Sequence, residues 1–339
     1  MKSINHHLYE FTITVPSYNR GKRALFIVES IFRHLENNWS VLILNNASMH
    51  EQEYYNKIEE LSKTDNRIRY IKHEYNRQFH GNYMACFELA NSKYIMITSD
   101  EDVPVVDKLH NLLKAFSIIE NLGIIRTSGI GGSNMCIFDD LFFDAGDNAL
   151  LGYGFTNNYI SGTIYNLDMI KKFKLLDQLK ANLSKHSIYP HLYLELLICT
   201  YMPVIVSSEV CINEGESQKV ADNSGMGILN DSSTYKEPYS LGSRIDQFVH
   251  FRDAIIEIYN IKKSDSLFIN MYLALTRKYY YLIGAINMPM YQRNLIEKQS
   301  AINCLYHVAI GLIIPIITSK ELLEHTIDSI KDLHNSFVD

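Results

Sequence analysis

The stretch Tyr94-Ile95-Met96-Ile97-Thr98-Ser99-Asp100-Glu101-Asp102 predicts a short buried strand that ends in three carboxylates. Its aromatic and β-branched residues suit a central strand, and the run is too short for a separate helix. Three adjacent acids repel one another unless a cation neutralises them, and a divalent metal that also holds phosphate is suited to this role. The alternative is an acidic cap on a helix that begins near Pro104, where the helix dipole favours acids. Both interpretations stay open from this stretch alone.

Strands and helices alternate on both sides of this stretch. The sequence predicts strands over 11–16, 40–45, 68–72 and 94–97, and helices over 22–36, 51–62, 81–90 and 105–120. The second strand is an almost continuous apolar run, as a parallel strand covered on both faces requires. Unbroken alternation of this kind indicates βαβ units, and it predicts a mostly parallel, doubly wound α/β sheet flanked by helices.

The second half of the chain changes character. The region 129–162 is rich in Gly, Asn, Asp and aromatics, and loops of this length are usually functional or disordered. Strands are then predicted over 159–165 and 202–207, and helices over 167–179, 188–200, 245–259, 267–283, 295–313 and 320–337. The polar segment Ser217 to Glu237 indicates a mobile loop or hinge. The sequence therefore predicts an α/β domain over 1–235 and a C-terminal helical region over 236–339.

Composition narrows the class of protein. The net charge of −6, from 32 Lys and Arg against 38 Asp and Glu, argues against a general nucleic-acid binder. Five scattered cysteines without Cys-x-x-Cys spacing support neither a disulfide framework nor a zinc site, and they fit a reducing cytoplasm. No apolar run reaches the ~20 residues of a membrane-spanning helix. The longest, Val308 to Ile317, is predicted to be a buried helix. We expect a cytoplasmic protein, and contact with the inner face of the membrane stays open.

Four polar motifs each follow one of the first four predicted strands. They are Val15-Pro16-Ser17-Tyr18-Asn19-Arg20, Asn45-Asn46-Ala47-Ser48, Asn76 with Gly81-Asn82, and Ser99-Asp100-Glu101-Asp102. With this order and spacing, the chain resembles a family 2 glycosyltransferase of the GT-A fold, of the bacterial surface-polysaccharide type. The resemblance covers 10–125 well, as the nucleotide-sugar half, and 126–235 in outline, as the acceptor half. It implies inverting transfer from a nucleotide sugar, expected to be a UDP-sugar, to a hydroxyl of a glycan, lipid-linked or other acceptor.

The resemblance also implies roles for individual residues. Those expected to bind the nucleotide sugar are Pro16, Ser17, Tyr18, Arg20, Asn46, Asn76, Arg77 and Asp100. Asp102 is expected to bind Mn²⁺ or Mg²⁺ directly, with Asp100 at the ribose or the hydration shell of the metal. The metal would offset charge on the departing diphosphate. Asn46 stands where such enzymes usually place an acid. Because an amide also donates a hydrogen bond, the nucleotide base that the donor carries stays open.

Inverting transfer needs a general base for the acceptor hydroxyl. The family takes it from a carboxylate in a later segment, and the candidates here are Glu195, Asp139 and Asp140. Glu195 follows His191 by one helical turn, so the two side chains can share a face. We expect Glu195 to be the base and His191 to lie near the acceptor or metal, against the alternative of a solvated helix face. The loops 131–134 and 152–158 are expected to form an acceptor wall and a lid.

Two other functions stay open from the sequence. A sugar nucleotidyltransferase shares the fold, but its strand-to-loop start is typically rich in glycine. A non-catalytic scaffold of the same fold is supported by the Asn45-Asn46 departure and opposed by the intact acidic triplet. In the helical region, Arg244, Arg252 and the run 277–281 fit a solvated basic face. Contact with an acidic acceptor, a membrane surface or a second copy of the chain is left open.

Overall fold

The computed structural model describes residues 8–131, 138–156, 159–186, 189–215, 240–293 and 295–338. The chain divides into two compact units, Met1–Asn230 and Asp231–Asp339. Most of the predicted acceptor wall at 131–134, the end of the predicted lid at 152–158 and the predicted hinge at 217–237 lie outside the described residues.

A single sheet organises the first unit. In the described part of the chain its nine strands are β1 (Tyr9–Ser17), β2 (Trp39–Asn45), β3 (Ile68–Lys72), β4 (Ser92–Ile97), β5 (Val103–Pro104), β6 (Ile124–Ile130), β7 (Leu141–Phe143), β8 (Thr163–Asn166) and β9 (Val204–Asn213). Their order is β3-β2-β1-β4-β8-β6-β9-β5, and β7 also pairs with β9. Strands β1 to β4 are parallel, and β8 lies antiparallel between β4 and β6. Strands β6 and β9 therefore run in the same direction as β1, so the carboxyl ends of all the parallel strands meet at one edge.

Helices cover both faces of this sheet. They are α1 (Gly21–Ile31), α2 (Gln52–Thr64), α3 (Gln78–Leu89), α4 (Val106–Leu113), α5 (Ala115–Ile118), α6 (Asp147–Gly152), α7 (Leu167–Lys172), α8 (Leu175–Ala181) and α9 (Pro190–Tyr201). Alternate β1 residues, Phe11, Ile13 and Val15, share one core with α1, α2 and α4. Helices α3, α6, α8 and α9 contact one another in a second layer. The predicted fold class is confirmed: a mostly parallel α/β sheet flanked by helices, followed by a helical region.

The second half of the sheet departs most from the sequence-based elements. Strand β6 was not predicted, because its run Ile-Ile-Arg-Thr-Ser-Gly-Ile carries polar residues and a glycine where a buried strand usually carries apolar ones. Strand β8 begins only at Thr163, after Gly162 with a φ of +87°, whereas the sequence predicted a strand from Tyr159. The predicted helix 167–179 is split into α7 and α8 at Lys174, which has a φ of +55°. Local backbone turns, rather than the hydrophobic pattern, set these boundaries.

The second unit is helical. Its helices are α10 (Leu241–Lys262), α11 (Asp265–Tyr281), α12 (Met288–Arg293), α13 (Lys298–Ile313) and α14 (Lys320–Val338), with a π-helical turn at Leu282–Ile286. Edge-on aromatic contacts of Phe248 with Tyr272 and Tyr279 lie in its core. The prediction that Arg244 lies on a solvated face is wrong, because Arg244 is buried and donates to Asn287 and Gln247. None of the described helices is long and apolar enough to cross a membrane.

Candidate active site

Asp100 lies just past the carboxyl end of β4 and is held by the first polar loop. Ser17 Oγ donates to Asp100 Oδ2 at 2.9 Å, and Arg20 Nη1 donates to Asp100 Oδ1 at 3.0 Å. Arg20 Nη1 also lies 2.7 Å from Glu101 Oε1. Burial raises the pKa of Asp100 to about 6, although Arg20 and Ser17 act in the opposite direction. The protein itself therefore supplies part of the positive charge that the acidic triplet requires.

Asp102 is the most deeply placed acid of the triplet, with 1% of its surface exposed. Its Oδ2 accepts a hydrogen bond of 2.6 Å from Ser161 Oγ, and the same hydroxyl accepts the backbone N–H of Ser99 at 2.8 Å. By strict hydrogen-bond geometry no described residue donates to Oδ1, although Tyr159 and Gly215 lie close enough to the carboxylate to favour its charged form. Burial raises the pKa of Asp102 against the lowering effects of Ser161, Tyr159 and Gly215. One carboxylate oxygen is thus fixed, and the other is uncommitted.

The Oδ1 atom of Asp102 could bind only a cation that takes most of its other ligands from outside the protein. The described residues contain no group of three or more His, Cys, Asp or Glu side chains that could hold a metal. Divalent Mg²⁺ and similar hard cations are, however, often bound by one or two carboxylates together with substrate phosphates and water. The residues present therefore fit a cation that arrives with a diphosphate, and they do not form a complete metal site by themselves.

Tyr55 forms hydrogen bonds to the first polar loop and was not predicted from the sequence as a site residue. Its hydroxyl shares a hydrogen bond of 2.7 Å with Ser17 Oγ and accepts the backbone N–H of Arg20. Burial raises the pKa of this phenol to about 12, so it stays protonated at neutral pH. Asn19 joins the same loop to the second one, because its Oδ1 accepts the backbone N–H groups of Met49 and His50. Pro16 and Tyr18 stay partly exposed on this loop, where the sequence placed a nucleotide pocket.

In this structure, Asn46 forms hydrogen bonds that connect two loops of the protein. Its Nδ2 donates to Asn76 Oδ1 at 2.9 Å and to the carbonyl of Gln78, and its Oδ1 accepts the backbone N–H of Arg77 at 2.8 Å. The structure thus brings Asn46, Asn76 and Arg77 together. Both amide atoms of Asn46 are nevertheless engaged within the protein, so the structure shows a side chain that fastens two loops together. Contact of Asn46 with a base or ribose stays a prediction.

We expect Asn46→Asp to lower the free energy of unfolding by about 1–3 kcal/mol, because the new carboxylate loses a donor and faces two acceptor oxygens in a buried place. Urea unfolding followed by emission of Trp39, the single tryptophan, reports on the first unit alone. Asn111→Asp on the exposed surface of α4 is the matched control. If Asn46→Asp leaves stability unchanged but alters which nucleotide binds, Asn46 reads the base as the sequence predicted.

His191 and Glu195 are both buried on α9, so the alternative of a solvated helix face is wrong. Glu195 Oε2 accepts the Tyr153 hydroxyl at 2.8 Å, and Oε1 accepts the Tyr165 hydroxyl at 2.9 Å. His191 packs edge-on against the ring of Tyr83. Because α9 leads through a short turn into β9, its first residues lie toward the carboxyl edge of the sheet. His191 therefore precedes Glu195 by about 6 Å along the helix axis, on the side toward that edge.

The other two candidate bases lie elsewhere. Asp140 accepts the backbone N–H of Ser208 at 2.7 Å and the Ser208 hydroxyl at 3.0 Å. These hydrogen bonds lower the pKa of Asp140. Ser208 precedes the end of β9 by five residues, or roughly 17 Å of strand. Asp139 and Asp140 are also exposed, so the structure does not bring either of them to the acidic triplet.

Comparison with known proteins agrees with this geometry. Residues 12–133, which include the triplet, match the family model described as Glycosyl transferase family 2. The structure resembles S. aureus TarS 1-349 in complex with UDP-GlcNAc, with a TM-score of 0.57 at 13% identity over 97% of this chain and 91% of that one. It also resembles the mannosyltransferase PcManGT from Pyrobaculum calidifontis in complex with GDP-Man and Mn²⁺, with a TM-score of 0.50 at 12% identity over 98% and 87%. A sequence search of curated proteins gave no match.

Proposed function

We propose, from the premise that the chain is a family 2 glycosyltransferase of the GT-A fold, that it moves one sugar from a nucleotide sugar to an acceptor hydroxyl with inversion at the anomeric carbon. The observation that carries the proposal is the buried Asp102, with one uncommitted oxygen, beside Asp100 and Arg20 at the carboxyl edge of the sheet. Ligands of open α/β sheets bind beyond this edge. The bound UDP-GlcNAc of TarS and GDP-Man of PcManGT support a UDP- or GDP-sugar as donor.

Asp102 would hold a divalent cation, Mn²⁺ or Mg²⁺, through Oδ1. When bound, such an ion supplies Lewis-acid stabilisation of the departing diphosphate. Ser161 keeps the other oxygen of Asp102 in place, and Arg20 orients Asp100 beside it. The Mn²⁺ in the PcManGT complex supports this choice of ion. Asp100 would then lie next to the ribose or the water around the metal.

We assign the proton of the acceptor hydroxyl to His191 rather than to Glu195, the residue expected from the resemblance. Both oxygens of Glu195 already accept from tyrosines, and Glu195 lies one turn further from the carboxyl edge. A neutral imidazole can accept a proton near neutral pH. Glu195 would hold Tyr153 and Tyr165 in place behind the histidine. The acceptor would be a hydroxyl of a glycan or lipid-linked sugar in surface polysaccharide or glycoconjugate synthesis.

The test is a thermal-shift panel of UDP- and GDP-sugars, each with and without Mn²⁺. A ligand at a hundred times its dissociation constant stabilises the folded protein by ~2.7 kcal/mol, which a melting curve resolves. We expect a rise that requires the metal, followed by release of the nucleoside diphosphate when a sugar acceptor is added. Consumption of a nucleoside triphosphate with release of pyrophosphate would instead indicate a nucleotidyltransferase. Binding without turnover on any acceptor would indicate a scaffold.

A further inference from the structure

Arg126 in β6 is a buried cation that the proposed reaction does not use. It is 1% exposed, and in the described part of the chain no acidic side chain forms an ion pair with it. Its Nη1 donates to the carbonyl of Ser161 at 2.6 Å, to Thr163 Oγ1 at 2.9 Å and to the carbonyl of Tyr159 at 3.2 Å. All three acceptors belong to the short segment that leads into β8. One guanidinium nitrogen therefore fixes a single bend of the chain.

The same bend carries the hydroxyl that holds Asp102. Ser161 accepts from Arg126 through its carbonyl and donates to Asp102 Oδ2 through its side chain. The next residue, Gly162, has a φ of +87°, and a Cβ there would lie 2.8 Å from Thr127 Oγ1, so other residues do not fit. The Thr127 hydroxyl also donates to the carbonyl of Gly162 at 2.9 Å. The path of this bend is thus set by β6, and it determines where the Ser161 hydroxyl points.

We propose that Arg126 is a positioning residue for Asp102 and acts on it through Ser161. The proposal rests on the proposed function, since it assigns Asp102 Oδ1 to the cation. An arginine suits this role because it stays charged at any pH at which the protein folds, and its planar head can serve several acceptors at once. Burying a guanidinium without an acid partner costs desolvation free energy, so Arg126 needs these hydrogen bonds, and the same bonds hold the bend in one position. With Ser161 holding Oδ2, Oδ1 would be the oxygen left for the cation.

The test is a double-mutant cycle on the affinity of Mn²⁺ for the enzyme in the presence of saturating UDP, or GDP if the panel selects it. Groups that orient a metal ligand typically change metal affinity 10–100-fold. We expect Arg126→Gln and Ser161→Ala each to weaken Mn²⁺ binding about tenfold. The double variant should bind Mn²⁺ no more than about tenfold more weakly than the unchanged protein, because both changes break the same connection. Independent effects, multiplying to about a hundredfold, would overturn the proposal.

Thr163→Val is the matched control, because it removes another acceptor of the same Nη1 without touching Asp102. Its Mn²⁺ affinity should stay close to that of the unchanged protein, because the hydrogen bonds of Nη1 to the carbonyls of Tyr159 and Ser161 remain. Arg126→Lys provides a second variant if Arg126→Gln does not fold. It keeps the charge, but its ammonium lies one bond closer to the backbone than Nη1 of the arginine, so it should also weaken Mn²⁺ binding. A normal Mn²⁺ affinity in Arg126→Lys and Arg126→Gln together would overturn the proposal.

A measurement without metal separates this proposal from the proposed function. Amide hydrogen exchange of a peptide over 97–103 reports on the Ser99 N–H, which donates to Ser161 Oγ. In metal-free protein, Arg126→Gln should speed this exchange, whereas Thr163→Val should not. Unchanged exchange in Arg126→Gln would show that Arg126 does not act through Ser161. If the unchanged protein binds no Mn²⁺ with any nucleotide, the proposed function fails. The exchange result still shows whether Arg126 positions Ser161.

Discussion

Asp102→Asn will lower kcat/KM by about a thousandfold, and the stabilisation of the protein by a nucleotide will no longer depend on Mn²⁺. Asparagine keeps the size of the side chain and one oxygen, but it loses the charge that a hard cation requires. A Lewis acid at the leaving group contributes several kcal/mol in the transition state, and ~4 kcal/mol corresponds to about three orders of magnitude in rate. The measurement is release of nucleoside diphosphate at saturating donor, with thermal shifts on the same samples.

Asp107→Asn is the matched control for this change. Asp107 lies in α4, five residues away, and its side chain is 75% exposed, so the same substitution there removes a charge without touching the edge of the sheet. It should leave both the rate and the metal dependence unchanged. Full activity in Asp102→Asn would contradict the assignment of Asp102, and the acidic triplet would then act as a helix cap, the alternative that the sequence left open.

His191→Asn will lower kcat by about 10²–10⁴-fold, the usual contribution of a general base, without weakening the metal-dependent binding of the nucleotide. The donor half of the proposed site, formed by the loops after β1, β2, β3 and β4, does not include α9. A loss confined to kcat would therefore separate proton transfer from donor binding. The pair of measurements is steady-state turnover with acceptor and thermal stabilisation by donor without it.

Glu195→Gln distinguishes the two candidates on α9. We expect it to lower the free energy of unfolding by about 1–3 kcal/mol, because a buried acceptor of two tyrosine hydroxyls is altered, and to reduce kcat less than His191→Asn does. Trp39 emission in urea measures the first effect. The reverse pattern, with turnover lost in Glu195→Gln and kept in His191→Asn, would return the base to Glu195 as the resemblance implied.

The first half of the fold could be predicted because its signals are local. Apolar runs of strand length alternate with helical periodicity from β1 to α4, and each strand ends in polar residues, so the chain itself orders the carboxyl edge. The burial of α9 could also have been predicted, since Pro-His-Leu-Tyr-Leu-Glu-Leu-Leu-Ile-Cys-Thr-Tyr is apolar on every side.

Contacts between distant residues could not be predicted. Ser161 and Asp102 are 59 positions apart, and nothing in either neighbourhood marks the hydrogen bond between them. Asn46 likewise offered a donor and an acceptor that suit a nucleotide as well as they suit a neighbouring loop, and only the fold shows that the loop takes both. The three acceptors of Arg126 lie 33 to 37 positions further along the chain, so no local pattern marks them.

The position of β8 also has a consequence for biosynthesis. Strands β1 to β4 are made first and are neighbours in the sheet. Strand β8 is made after β6 and must enter between β4 and β6. A nascent or truncated chain that stops before residue 159 can therefore contain the whole acidic triplet and yet lack the Ser161 hydroxyl that donates to Asp102. The loops after β1 to β4 can form during translation, whereas Asp102 reaches its final geometry only once β8 has filled the gap between β4 and β6.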